Sequence, residues 1–153
     1  MATRAELLER YRTGYDAIES ALEGITEAEL DAREGPDEWT PREVVHHLAD
    51  AEMRAAIRLR QLIAEDDPVI QAYDEVTYTK RLHYDRPIAT SLGAIRASRE
   101  TSAELLDRLT PDEWKRAGTH TESGPYSVET WLEIYASHAH DHADQIRRAR
   151  AAG

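Results

Sequence analysis

The chain has 153 residues, a length typical of one domain, so we expect a single domain over residues 1–153 with a continuous core. Its formal charge of −11 disfavours nucleic acid and anionic membrane lipids as partners, because an acidic surface repels both. The absence of cysteine excludes disulfides, thiolate metal ligands and a protein thiol nucleophile, so any bound metal would be held by His, Asp or Glu.

Sparse glycine and proline and a charged content of 32% indicate long amphipathic helices. Capping signals mark where the first two of these helices begin. Thr3 and Thr40 each precede a glutamate by three positions, which is the spacing of a capping box, where each side chain binds a free backbone N–H of the first turn. We therefore expect a first helix over about 4–23 and a second over about 41–64.

Two more helices are predicted in the second half of the chain. A stripe of apolar and small residues predicts a third helix over about 90–109, in which Gly93 is a tolerated weak point. Ser127 can cap a fourth helix, whose basic end, Arg147-Arg148, suits the negative pole of the helix dipole. The predicted fold class is all-α, a four-helix bundle.

The connections between these helices also carry signals. The segments 25–30 and 109–114 each contain a threonine with a glutamate three positions later, which predicts short helical turns. The segment 66–87 is long for a bundle connection, and we expect a short helix at about 74–82 within it. The turn-rich segment 118–127 predicts a small hairpin near the mouth of the bundle.

Helical phase separates the histidines on the two long helices. At about 100° per residue, His138 and His142 fall inside the apolar arc of the fourth helix, and His47 lies at the edge of the arc of the second. His120 lies in a loop that could cover these three. His46 lies nearly opposite the apolar arc of its helix, and His140 is expected to be solvated. For these two and for His83, an ordinary histidine without a functional role is favoured.

The three inward histidines favour a metal site. Two imidazoles four residues apart project from one helix face, and His47 on a facing helix would complete three corners of a tetrahedron, a set that suits Zn, Ni or Fe. With no fourth protein ligand apparent, water or substrate would take the open position, as in catalytic sites. The alternative is that each histidine only makes a hydrogen bond in the core.

Glu52 also falls inside the apolar arc of the second helix. A carboxylate placed there must find a cation, a metal or a network of hydrogen bonds. It could orient a metal-binding imidazole or transfer a proton. The aromatic residues, in contrast, are expected to pack in the core or in the loops rather than bind ligands: Trp39, Trp114, Trp131, Tyr73, Tyr78 and Tyr84.

Two segments of the sequence, taken together, resemble a known family. WTPREVVHHLADAE (39–52) with EIYASHAHDHADQI (133–146) is similar to the DinB-like superfamily of metal-binding helical bundles. AEDDPVIQAYDE (64–75) and LTPDEWKR (109–116) resemble most closely the branch described as “putative metal-dependent hydrolases”, which includes bacillithiol S-transferases. The resemblance covers nearly the whole chain.

The resemblance implies a metal site and an architecture. The family's metal-binding histidines fall on His47, His138 and His142 of this sequence. Family members commonly bind Zn or Ni, often form homodimers and arrange their helices up-down-down-up. We expect the long connections after the first and third helices to accommodate that order.

Two classes of function follow. The first is an enzyme whose metal activates water or a low-molecular-weight thiol for attack on a small electrophilic substrate, making it a hydrolase or a thiol S-transferase. With no cysteine in the chain and no serine tied by motif to the site, the nucleophile would have to be a metal-bound group. The second is a non-catalytic metal-binding or regulatory bundle, in which the metal mainly stabilises the fold. A third, weaker interpretation is a bundle that binds no metal in the cell.

The sequence also gives an expectation about location. No run approaches the roughly 20 apolar residues of a membrane span, and the N-terminus lacks the apolar core of a signal peptide. We therefore expect a cytoplasmic protein that acts on a small molecule. No exposed apolar helix face stands out as a dimer interface.

Overall fold

The computed structural model describes all 153 residues as a mostly helical protein, which confirms the predicted four-helix bundle. None of its helices is both long enough and apolar enough to cross a membrane. In chain order the elements are α1 (Arg4–Arg12), α2 (Gly14–Leu22), α3 (Glu27–Leu30), α4 (Pro41–Ala64), β1 (Val69–Ile70), α5 (Glu75–Arg81), α6 (Ala89–Leu106), α7 (Pro111–Trp114), β2 (Ala117–His120), β3 (Gly124–Ser127) and α8 (Val128–Ala151).

Helix starts lie where the capping signals placed them. Each of four threonines accepts a hydrogen bond from the backbone N–H three residues on, and the glutamate at that position binds back to the threonine N–H. Both predicted helical turns, α3 and α7, are among these, and Ser127 caps α8 in the same way through the N–H of Thr130. The four threonines are Thr3, Thr26, Thr40 and Thr110.

Two buried apolar clusters show the direction of each helix. One joins the end of α2 and the end of α8 to the starts of α4 and α6, with members that include Ile18, Leu48, Ile95 and Ile146. The other joins α1 and the start of α8 to the ends of α4 and α6. Taking α1–α2 as up, α4 and α6 therefore run down and α8 runs up, the up-down-down-up order.

The segment 65–88 is the connection that makes this order possible. Because α4 and α6 are parallel, the chain must return along the length of the bundle between them, which requires a long crossover. We expected the connections after the first and third helices to accommodate this order. Each instead joins two antiparallel neighbours, the first connection at one end of the bundle and the second at the opposite end. The crossover contains the predicted short helix, observed as α5.

The first helix is interrupted, whereas a single helix over 4–23 was predicted. It breaks at Thr13, which separates α1 from α2. Carbonyls near the end of a helix lack intrahelical partners, and here other helices supply them. The Nε2 atom of His140 donates to the carbonyl of Arg10 at 2.8 Å, and Arg99 Nη2 donates to that of Tyr11 at 2.6 Å. His140, expected to be solvated, is thus half-buried and caps α1.

A small sheet closes one end of the bundle. The predicted hairpin is confirmed, since β2 and β3 pair antiparallel with Thr119 opposite Pro125, and β3 leads directly into α8. The two-residue strand β1 pairs in parallel with β2 and was not predicted. A strand this short has too few residues to show an alternating pattern. Through β1, the sheet anchors the start of the crossover.

The break between α1 and α2 requires a residue without a side chain. A Cβ atom added to Gly14 would lie 2.9 Å from the Cβ atom of Ala139 and would overlap the guanidinium of Arg99. That guanidinium is 3% exposed and hydrogen-bonded, so it has no room to move away. Gly93 on α6 differs, because a Cβ atom there would meet nothing within 4 Å.

We predict opposite effects for the two Gly→Ala variants. Gly14→Ala should lower the free energy of unfolding by about 1–3 kcal/mol through overpacking. Gly93→Ala should raise it by about 1 kcal/mol through the higher helix propensity of alanine. Urea denaturation followed by circular dichroism measures both. Equal stability of the two variants would contradict the proposed close approach at Gly14.

Candidate metal centre

Three imidazoles converge between α4 and α8. These helices are antiparallel, which brings the first turns of α4 beside the second half of α8 and places His47 opposite His138 and His142. One ring nitrogen from each lies within 4.8 Å of the other two. His47 is 1% exposed and the other two are partly buried. The predicted convergence of these three side chains is therefore confirmed.

Neighbouring side chains fix which nitrogen atoms face the centre. The Nδ1 atom of His142 lies 2.7 Å from Oε1 of Gln145, and Nδ1 of His138 lies 3.4 Å from Oε1 of Glu52. Because both Nδ1 atoms face acceptors, both Nε2 atoms keep their lone pairs for a ligand. Metal-binding histidines generally have such a partner on the second nitrogen.

This donor set fits a divalent transition metal. Zn–N bonds of about 2.0–2.1 Å in a tetrahedron place the nitrogens roughly 3.4 Å apart, so small side-chain shifts would close the site. Burial, and then the neighbouring His142 and His138, lower the pKa of His47 to about 3. Burial followed by His138 lowers that of His142 to about 4. Both rings are therefore neutral at pH 7, the state that binds metals.

Glu52 lies behind His138 and is paired with a cation. Its Oε1 atom is 2.7 Å from Nη1 of Arg99, and the two side chains are 1% and 3% exposed. Burial raises the pKa of Glu52, but the charge of Arg99 and the bond to His138 outweigh it, so the pKa lies below its ordinary value. The expectation that this carboxylate must find a partner is met by an ion pair, which keeps it ionised beside the imidazole.

Two aromatic rings enclose the histidines. The ring of Trp39 lies 4.4 Å from that of His47 and 6.3 Å from that of His142, between ring centroids. Tyr135 packs edge-on against His138 at 5.6 Å. Trp39 was expected to be a core anchor rather than a ligand contact, and it does pack against one of the apolar clusters while also contacting the site. It packs on the site because its segment folds back over the start of α4.

His46 occupies a second buried environment. It was placed nearly opposite the apolar arc of its helix, yet it is fully buried. Its Nδ1 atom lies 2.7 Å from Oγ of Ser91 and its Nε2 atom 2.8 Å from the carbonyl of Arg86. A helical wheel assumes one buried face, whereas the crossover and α6 cover α4 on a second side. Both ring nitrogens of His46 thus make hydrogen bonds within the fold, and His46 lies outside the cluster of three imidazoles.

The remaining histidines lie outside the cluster. His83 is exposed. His120 does not join the three imidazoles; its Nδ1 atom accepts backbone N–H bonds from Glu122 and Ser123, and its ring stacks on Tyr126. It therefore shapes the hairpin turn.

Sequence reasoning missed Arg99 and Gln145. Arg99 follows the buried Ile95 by four residues on α6, a spacing that indicated its inward position. Gln145 follows His142 by three residues on α8, which places their side chains side by side. Both signals are local and could have been found from spacing alone.

Comparisons with known proteins identify relatives of this chain. Residues 10–146 match the model of a family described as the DinB superfamily. A protein of Oceanobacillus iheyensis named “Putative metal-dependent hydrolase” is 36% identical over 84% of this chain and 75% of its own length. The Bacillus subtilis protein “Putative metal-dependent hydrolase YfiT” is 32% identical over 84% of this chain and 74% of its own.

A solved structure agrees as well. It is described as “YfiT from Bacillus subtilis is a probable metal-dependent hydrolase with an unusual four-helix bundle topology”. It superposes with a TM-score of 0.87 at 26% identity, covering 95% of this chain and 86% of that one. The family match over most of the chain, the similar relatives and the shared fold together show that this protein belongs to the DinB superfamily.

Proposed function

We propose that this chain is a metal-dependent enzyme in which His47, His138 and His142 hold one divalent transition metal, Zn or Ni. The observation that carries the proposal is a cluster of three imidazoles with no fourth protein ligand. Three protein ligands and an open position are typical of catalytic metal sites, whereas structural sites are closed by four. The names of the relatives, “Putative metal-dependent hydrolase”, support the same class of function.

The surroundings of the cluster suit a small reactant. A bound metal would supply Lewis acidity, which lowers the pKa of a coordinated water or thiol and polarises an electrophile. The side chain of His138 is 20% exposed, so the cluster is partly open to solvent. Trp39 and Tyr135 form apolar walls that limit the access of water. Glu52 acts as a positioning residue that holds the ring of His138.

The proposed reaction is attack by water or by a low-molecular-weight thiol on a small electrophilic substrate. Hydrolysis agrees with the names of the relatives. In thiol transfer the thiol would be a cosubstrate, because the chain itself has no cysteine. Glu52 is less suited to proton transfer than to positioning, because its ion pair with Arg99 holds the pKa of the carboxyl below its ordinary value and so makes it a weak base.

A non-catalytic metal-binding or regulatory bundle is the alternative. A fourth protein ligand that closed the site would favour it, and the cluster offers three. We therefore favour the enzyme. The homodimer implied by the family resemblance and the cytoplasmic location stay predictions.

Metal content tests the ligand assignment. Native protein should contain about one transition metal per chain, and His138→Ala should lose it because two imidazoles bind far more weakly than three. His140→Ala is the matched control, since His140 lies on the same helix but caps α1. Mass spectrometry on untagged protein grown with added metal measures both variants. A metal-free native protein would contradict the proposal.

Glu52→Gln should affect both stability and metal binding. The variant leaves the buried Arg99 without a counter-charge, so the free energy of unfolding should fall by about 3–5 kcal/mol. Metal affinity should fall roughly 10–100-fold because His138 loses its orienting carboxylate. Gln145→Ala should weaken metal binding with little loss of stability, since Gln145 is half-buried and uncharged. Competition with a chromogenic chelator measures the affinities, and unchanged affinity in both variants would contradict the positioning roles.

A reactivity screen separates the two reactions. The metal-loaded protein is incubated with small esters, amides and alkyl halides, with and without small thiols, and products are identified by mass spectrometry. Hydrolysis without thiol assigns a hydrolase, whereas products that carry the thiol assign an S-transferase. Either activity should be lost in His138→Ala and kept in His140→Ala. Metal binding without activity would favour the non-catalytic bundle.

A further inference from the structure

One buried arginine has no acidic partner. Three arginines are buried: Arg42, Arg58 and Arg99, at 8%, 9% and 3% exposure. Arg42 pairs with Glu27 and Asp31, and Arg99 pairs with Glu52. Arg58 hydrogen-bonds only neutral groups. A buried cation without a counter-charge destabilises a fold, and in a chain with 30 acidic residues its isolation is unusual.

The partners of Arg58 leave part of its guanidinium free. Nη1 donates to the hydroxyl of Tyr135 at 3.1 Å, and Nη2 donates to the carbonyl of Gln71 at 2.6 Å. A guanidinium has five N–H donors in a planar fork, so three remain without a protein partner. These two bonds fix the plane of the fork. The side chain is therefore held in place before any ligand binds.

Arg54 adds a second cation one helical turn away on α4. Its Nη2 atom donates to the hydroxyl of Tyr78 at 2.6 Å, and its guanidinium lies 4.3 Å from the ring centroid of Tyr73. The hydroxyl of Tyr73 is itself buried without a hydrogen-bond partner. Arg54, like Arg58, makes no ion pair within 4.0 Å. Two neighbouring guanidinium groups thus share one side of α4 with no carboxylate bound to either.

Both arginines line one cavity. It has a volume of about 360 Å³ and lies between α4 and the crossover. Its apolar part is formed by side chains that are 43%, 60% and 62% exposed: Met53, Ile57 and Val69. The acidic residue in its lining, Asp50, accepts a hydrogen bond from the hydroxyl of Tyr84. The cavity therefore combines two guanidinium groups that form no ion pair, the carboxylate of Asp50 and a small apolar surface.

Arg58 connects this cavity to the histidine cluster. The Tyr135 hydroxyl that it binds belongs to the ring that packs against His138 at 5.6 Å. One side chain thus separates the free guanidinium from a proposed metal ligand. Arg58 and His47 are also on the same side of α4, because they are separated by about three helical turns.

We propose that Arg58 and Arg54 bind a carboxylate group of the small molecule that reacts at the histidine cluster. The ligand class is a short carboxylic acid with an apolar segment, either the electrophile or the thiol cosubstrate. A carboxylate matches the planar fork of a guanidinium and supplies the missing negative charge. This inference rests on the proposed function, because it assigns part of the same site.

The probe is butyrate, with butyramide as its neutral analogue of the same shape. Each is titrated into the full chain while the arginine Nε–Hε signals are followed by ¹H–¹⁵N NMR. Butyrate should shift the Arg58 and Arg54 signals, and butyramide should not. Butyrate affinity should fall roughly 10-fold or more in Arg58→Gln and in Arg54→Gln, since each loses a charged hydrogen bond.

Arg60→Gln is the matched control. Arg60 lies on the same helix and also binds neutral groups, those of Ala56, Ser102 and Thr101, but it does not line the cavity. Its variant should bind butyrate like the native chain. Arg54→Gln keeps the test decisive if Arg58→Gln fails to fold, because Arg54 is less buried.

The carboxylate site and the metal site can be tested separately. His138→Ala should lose metal yet keep butyrate binding, which separates the carboxylate site from the metal site. Equal shifts with butyrate and butyramide, or no shift with either, would overturn the carboxylate proposal while leaving the metal assignment intact. Native affinity in both Arg54→Gln and Arg58→Gln would overturn it as well.

Discussion

The buried pair of Glu52 and Arg99 joins all four long helical segments. Arg99, on α6, binds the carboxylate of Glu52 on α4, the carbonyl of Tyr11 on α1 and, at 3.4–3.5 Å, the carbonyl of Tyr135 on α8. Its guanidinium also lies 4.1 Å from the ring centroid of Tyr11. Two charges are expensive to bury, and hydrogen bonds to several elements offset that cost only in one arrangement of the helices. The pair therefore favours this order of helices over other packings of similar apolar area.

The same pair connects the core to the site. Oε1 of Glu52 faces both Arg99 and Nδ1 of His138, so the position of α6 determines the orientation of an imidazole on α8. The break after α1 belongs to this arrangement, because Gly14 admits the guanidinium of Arg99. A change in Arg99 or Gly14 would therefore affect His138 through Glu52, which contacts it directly.

Charge is distributed unevenly around the site. The chain carries −11 overall, yet neither Arg54 nor Arg58 forms an ion pair. On the other side of that helix, Glu52 is neutralised by Arg99. A small anionic molecule approaching the acidic surface would be attracted to these two unpaired cations. The site thus combines neutral metal-binding rings, apolar walls and a cationic neighbour, a combination suited to a small polar reactant.

The sequence by itself determined what depends on local spacing. Threonine and glutamate three apart placed the helix starts, and helical phase oriented His47, His138 and His142 inward, because capping and periodicity act within one or two turns. Only the tertiary structure decided what depends on contacts distant in sequence. His46 is buried because the crossover covers α4, His140 caps a helix break more than a hundred residues away, and Arg99 neutralises Glu52 from another helix. No pattern within one helix reports which side chains a neighbouring helix will supply.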